Sequence, residues 1–427
     1  MKSVSDTFGG AKEDVSPCYV PDDDYDVIDE NEEDYVQPPH LVDDVRVSRS
    51  PTLGGGSGSN GTATRPTIVI SNTSTQPGSF SSITSAVTPI TPNQRYRGWL
   101  SEVLKPLEQF IDEPIDPREY YLGLQEIAEG ESGSVYAARI AENADLSKLK
   151  LPPMLKDRDV ENQQHGQPML VAIKSVAILP SGSAKLDDLK KELTLLKGLA
   201  HPDILSLDAL YVDLVEDSLW VRMELMERSL ADVVALVGQG LVLQERTIAR
   251  FTSDILEALQ YLRDNNIAHR DVRSDNLLLN SDGVLKLTDF SNAIQVSPAS
   301  PTCTDAVGVL YWQAPEIRTG SYNALKVDIW SVGATVWEMA EAEPPFADTS
   351  VPADRWPPLG QPQLYSPAFR EFLRLCSEPA ASRPDPLELM KNGFVNNTCG
   401  RAVIVQLLQQ CMAIEKAMQD QAEDSDS

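Results

Sequence analysis

The stretch His269-Arg270-Asp271-Val272-Arg273-Ser274-Asp275-Asn276 constrains this chain more than any other, because of what flanks it. Ahead of it, Gln244–Asn265 carries Ile248, Phe251, Ile255, Leu259 and Leu262 at helical spacing, an apolar stripe that buries one face. Behind it come Leu277-Leu278-Leu279 and then Leu287-Thr288-Asp289-Phe290-Ser291. Acidic and amide side chains are thus strung along loops between buried elements. Asp271 reads as a carboxylate that orients and deprotonates a substrate hydroxyl. Asn276 and Asp289 read as hard oxygen ligands for Mg²⁺.

Upstream, the pattern is strand-rich. Leu122–Ile127, Ser134–Arg139, Met169–Val176 and Leu219–Glu224 read as strands, with a helix over Lys185–Leu199. Ala128-Glu-Gly130-Glu-Ser-Gly133-Ser-Val135 falls between the first two strands, where small residues let backbone N–H groups approach phosphate oxygens. About forty residues on, Val171-Ala172-Ile173-Lys174 sets a cation on a strand, and Glu192 falls mid-helix among Leu189, Leu193 and Leu196. Alone, a glycine hairpin is a turn, a strand lysine is a surface charge and a helical glutamate faces solvent. Their order and spacing, followed by Ala314-Pro315-Glu316 and Asp328-Ile329-Trp330, carry the argument. A further helix is expected over Val327–Glu341, and a closing one over Arg401–Gln421. The segment Ala141–Pro168, rich in Lys, Asp, Asn, Gln and Pro, reads as a surface loop.

Composition bounds the rest. The 427 residues carry Lys+Arg 36 against Asp+Glu 64, a net charge of −28, which argues against nucleic acid or an anionic membrane as the main ligand. Residues 1–94 read as a disordered arm, acidic around Asp22–Asp34 and then Gly/Ser/Thr/Pro-rich, with room for regulatory partners. Residues 95–119 read as an amphipathic lead-in helix with Trp99, Leu100, Val103, Leu104, Leu107 and Phe110 apolar; residues 396–427 read as a closing helix and acidic tail. The five cysteines have no paired spacing, so reduced thiols and a cytoplasmic or nuclear setting are expected. The opening residues lack the apolar run of a secretory signal.

Taken together, residues 120–395 resemble the eukaryotic protein kinase superfamily. The stretches Asp116-Pro-Arg-Glu-Tyr120, Leu219-Trp-Val-Arg-Met-Glu-Leu-Met226 and Glu338-Met-Ala-Glu-Ala-Glu-Pro-Pro-Phe346 are similar to the PAK group of the STE kinases. The resemblance implies a bilobal α+β fold and phosphoryl transfer from Mg·ATP to serine or threonine of protein substrates. It implies catalytic roles for Asp271, Lys174, Glu192, Arg273 and Asn276, with Asn276 and Asp289 on the metal. Ile127, Gly130, Gly133, Val135, Ala172, Lys174 and Leu278 would line the nucleotide site, Met223 would guard it, and the backbones of Glu224 and Met226 would meet adenine. Glu316 would pair with Arg383, and Asp328 would anchor the loop that carries Asp271.

The chain also departs from that group. Ala128 replaces the first loop glycine, Ser291 the glycine after Asp289-Phe290, and Arg273 a lysine. Val309 stands where a threonine hydroxyl would bond Asp271, and the segment after Phe346 is short and proline-rich. Where the group phosphorylates a loop threonine, this chain has Asp305, with Arg270 as its natural partner and Thr302 and Thr304 nearby. No small-GTPase-binding motif precedes the domain. Two alternatives stay open: a pseudokinase that works as an ATP-binding or docking scaffold, and a tyrosine kinase.

Overall fold

The computed structural model describes residues 98–130, 133–167, 169–347 and 353–425. The acidic arm expected over 1–94 lies outside them. A five-stranded antiparallel sheet forms the first lobe, in the order β1-β2-β3-β5-β4: β1 Tyr121–Gly130, β2 Gly133–Ile140, β3 Leu170–Ala177, β4 Ala209–Asp213 and β5 Ser218–Met223. Its register sets Val135 opposite Lys174 and Lys174 opposite Val221, with Ala172 between Ala137 and Met223.

Strand alternation gives this sheet two faces, and both are covered. Ala172, Val176, Leu219 and Val221 pack on Leu186, Leu189 and Leu193 of a helix, and on Leu100, Leu104, Leu107 and Ile111 from the lead-in. The lead-in is not the single helix expected. It is helix α1, Trp99–Leu104, a 3₁₀ turn over Lys105–Leu107, and helix α2, Pro117–Tyr120. Pro106 sits in the turn and cannot donate the hydrogen bond that would continue α1. Asp116 caps α2 by accepting from the Arg118 N–H at 3.1 Å.

The opposite face corrects another expectation. The segment read as a surface loop instead buries Leu146, Leu149 and Leu151 beneath Val171, Ile173, Tyr211 and Trp220. Helix α3, Pro153–Gln164, follows. Its docking residue is polar: Asp159, 2% exposed, holds the guanidinium of Arg222, which is fully buried on β5. A buried ion pair leaves no apolar stripe, so the periodicity of the segment concealed its packing.

Helix α4, Ala184–Leu196, is capped by the Ser183 hydroxyl, and it carries Glu192. The second lobe is helical: α5 Leu230–Ala235, α6 Glu245–Asp264, α7 Ala324–Glu341, α8 Pro367–Cys376, α9 Pro386–Leu389 and α10 Arg401–Ser425. The expected stripe of α6 (Ile248, Phe251, Ile255, Leu259, Leu262) is buried against α7, α8 and the start of α10. Helix α10 seals this core with Ile404, Leu407, Leu408 and Cys411, and leaves Val403 and Met412 exposed. Short strands β6 Arg228–Ser229, β7 Ile267–Ala268, β8 Leu277–Leu279 and β9 Leu285–Leu287 support the loops between the lobes. The result is the bilobal α+β arrangement. Among the described residues, no helix is long and apolar enough to cross a membrane.

Candidate active site

The site lies where the sheet lobe meets the loops following β7 and β9. Gly130 and Gly133 pair across the hairpin of β1 and β2. Gly133 has φ 131°, and a Cβ there would sit 2.4 Å from the Ser175 carbonyl oxygen, so only glycine lets β2 lie this close to β3. On β3, the Lys174 ammonium lies 4.0 Å from Glu192 Oε2. Burial pushes the Glu192 carboxyl up, and the Lys174 charge opposes that shift. Glu192 Oε1 also accepts a 3.3 Å hydrogen bond from the Phe290 N–H. One helical carboxylate therefore ties the strand lysine to the loop that presents Asp289. Asp289 itself has φ 62°, in the left-handed region, and accepts from the Ser291 N–H at 3.2 Å.

Asp328, deep in α7, fixes the opposite wall. Its two oxygens accept from the His269 N–H at 2.8 Å and the Arg270 N–H at 2.6 Å, as the resemblance implied. Arg270 is held at φ 66°. Asn276 donates through Nδ2 to the Asp271 carbonyl at 2.9 Å, leaving its own Oδ1 to serve as a ligand. Ser274 and Trp312 both donate to Glu338, at 2.6 and 2.9 Å. Burial pushes that carboxyl up to about 7 against those two bonds. Asp271 is 8% exposed. Arg273 lies alongside, with Nε 3.8 Å from Asp271 Oδ1 and Nη1 2.5 Å from Asp275.

Several residues expected at a nucleotide site lie together. Ala172, Met223 and Met226 belong to one apolar cluster, against which Val135 and Leu278 pack. Ile127 is half-buried on β1 and lies outside that cluster. The Glu224 carboxylate is pinned by Asn280 and Lys286, both at 2.9 Å, which fixes the segment that follows β5. Glu316 and Arg383 make the expected ion pair, with hydrogen bonds at 2.6 and 3.2 Å.

A family model described as protein kinase domain matches residues 121–409. The chain belongs to the protein kinase family. It is 32% identical over 305 residues to serine/threonine-protein kinase pakC of Dictyostelium discoideum, covering 69% of this chain and 57% of that protein. It is likewise 32% identical over 323 residues to serine/threonine-protein kinase PAK 1 of Mus musculus, covering 73% and 53%. The chain therefore aligns with a little over half the length of these two relatives. The kinase match runs past the boundary expected near Val395 and into α10, consistent with the buried Ile404, Leu407 and Leu408.

Membership of this family implies ATP and a divalent metal ion. The residues present fit both. Lys174 offers an ammonium beside Glu192, the glycine hairpin small residues, and Asn276 and Asp289 two oxygen ligands of the hard type. Two contributors to this kinase site went unread in the sequence. Asn292 donates through Nδ2 to Asp271 Oδ2 at 3.3 Å, and Glu338 bridges the Asp271 loop to Trp312. Glu338 carried a signal: a carboxylate inside the buried run Val327–Met339 demands partners.

Proposed function

We propose that this chain transfers the terminal phosphoryl group of Mg·ATP to serine or threonine hydroxyls of protein substrates. The observation that carries the reading is the double engagement of Glu192, by Lys174 and by the Phe290 N–H. That arrangement brings the phosphate-binding cation and the metal-binding Asp289 into one assembled site. Asp271 takes the proton of the attacking hydroxyl as its oxygen bonds to phosphorus and the bond to the departing ADP breaks. Asn276 and Asp289 would hold Mg²⁺, which neutralises charge on the phosphates when bound. Lys174 positions those phosphates, and Arg273 adds a fixed positive charge beside the base.

The acidic N-terminal arm would serve regulatory protein partners. A cytoplasmic setting, with the nucleus as the alternative, is supported by the free thiols of Cys303, Cys376, Cys399 and Cys411. Purified chain incubated with radiolabelled ATP and a mixed protein substrate, followed by phosphoamino-acid analysis, tests the proposal. Label on phosphoserine or phosphothreonine is expected. Label on phosphotyrosine alone, or no transfer despite nucleotide binding, would refute it.

A further inference from the structure

Asp271 is held in an unequal way. Its Oδ1 is buried without a hydrogen-bond partner among the described residues, and Arg273 Nε approaches it only to 3.8 Å. Its Oδ2 accepts one side-chain hydrogen bond, from Asn292 Nδ2 at 3.3 Å. The neighbouring loop also runs close, since a Cβ on Gly308 would lie 3.7 Å from Oδ1. Yet Val307, Gly308 and Val309 bring no side-chain donor to the carboxylate.

Asn292 is itself fixed from behind. Its backbone carbonyl accepts from Arg270 Nε at 2.8 Å, and Arg270 Nη1 in turn holds both oxygens of Asp305 at 2.9 and 2.8 Å. Among the described residues the Asn292 amide has no other hydrogen-bond partner. It is not needed to complete a turn or to satisfy a buried backbone group. Its one bond goes to the carboxylate that must face the substrate.

We infer that Asn292 is a positioning residue for Asp271: its amide tethers Oδ2 and so fixes the rotation of the carboxylate that receives the substrate proton. The inference rests on Asp271 being the base. A carboxylate free to rotate spends much of its time misaligned, and small misplacements of a reacting group cost rate rather than ground-state binding. The chain Asp305–Arg270–Asn292–Asp271 thereby runs from the exposed loop to the reacting carboxylate.

The test compares Asn292→Leu, Asn292→Gln, Asn292→Asp and Asp271→Asn in the full chain, using a serine/threonine peptide, with ATP affinity measured by calorimetry and folding by thermal melting. Loss of a hydrogen bond to a charged group predicts a fall in kcat of about tenfold for Asn292→Leu. The KM for ATP, the ATP affinity and the melting temperature should stay at wild-type values. Asn292→Gln, whose longer amide can still reach, should recover most of that loss. Asn292→Asp, which sets a second carboxylate against Asp271, should fall below the leucine variant. Wild-type kcat in Asn292→Leu, or a loss in all three variants that tracks melting temperature, would overturn the inference while Asp271→Asn stays inactive. Full activity in Asp271→Asn would overturn both the inference and the assignment of the base.

Discussion

Replacing Asp305 by alanine removes the carboxylate that holds Arg270 Nη1 at 2.9 and 2.8 Å, and leaves the loop ahead of Gly308 the bond from the Tyr322 hydroxyl to the residue 305 carbonyl. Arg270 is 7% exposed and keeps the Asn292 carbonyl and the Tyr322 hydroxyl, so its charge is not stranded. The Asp305 side chain is 53% exposed, which places the pair between a screened surface bridge and a buried one. That position gives about 1 kcal/mol of loop ordering, or a fall of about fivefold in kcat/KM. Burial opposes the Asp305 charge, but Arg270 outweighs it and holds the carboxyl below the usual carboxylate range. The contribution is therefore complete above the ordinary carboxylate pKa and is lost only as pH falls through the lower folded value. The activity ratio of wild type to Asp305→Ala should therefore be flat from about pH 6 to about pH 8. Steady-state kinetics on phosphate-free protein from a bacterial host is the assay. Activity without any upstream kinase is expected, with Thr302→Ala plus Thr304→Ala at the wild-type level. The reasoning is refuted by a wild-type enzyme that phosphatase silences while Asp305→Ala is harmless.

Three further outcomes follow from packing. Asp159→Ala leaves the fully buried Arg222 guanidinium without its carboxylate, and should cost about 3–5 kcal/mol in a chemical melt; a loss under 1 kcal/mol would contradict the buried pair. Glu338 has its carboxyl raised from 4.5 to about 7, so the folded chain holds a proton that the unfolded chain has released. Its contribution lowers stability as pH rises through that window, and Glu338→Gln should flatten the melting temperature against pH; an unchanged slope would refute this. Truncation to residue 98 should leave the melting temperature unchanged. Truncation to residue 114 removes Leu100, Leu104, Leu107 and Ile111 from the cluster under α4, and should lower both stability and kcat. Equal behaviour of the two truncations would deny the lead-in a role.

What could be read from the sequence followed the chemistry. Lys174, Glu192, Asp271, Asn276 and Asp289 each sit on a short motif whose spacing is set by backbone geometry, and the structure draws them into one site. The pairs Glu316–Arg383 and Asp328 with the His269 and Arg270 backbone were legible for the same reason. The region 141–168 was not, because its packing depends on Asp159 meeting Arg222 some sixty residues away, a pairing without periodicity. The broken lead-in was readable in principle from Pro106. Asn292 left only a faint mark, an amide next to Ser291 in a stretch that continues as Ala293-Ile294. Its role depends on where the loop after Phe290 turns, which local pattern does not specify.

The proposed function divides the labour between two carboxylates, Asp271 for the substrate hydroxyl and Asp289 for the metal-bound nucleotide. Nucleotide binding and phosphoryl transfer, measured side by side in wild type, Asp271→Asn and Asp289→Asn, separate the two roles. Asp271→Asn should bind Mg·ATP with near wild-type affinity and lose transfer by about 10²–10⁴-fold. Asp289→Asn should lose transfer and weaken Mg·ATP binding together. Wild-type transfer by Asp271→Asn, or undiminished Mg·ATP binding by Asp289→Asn, would contradict the account.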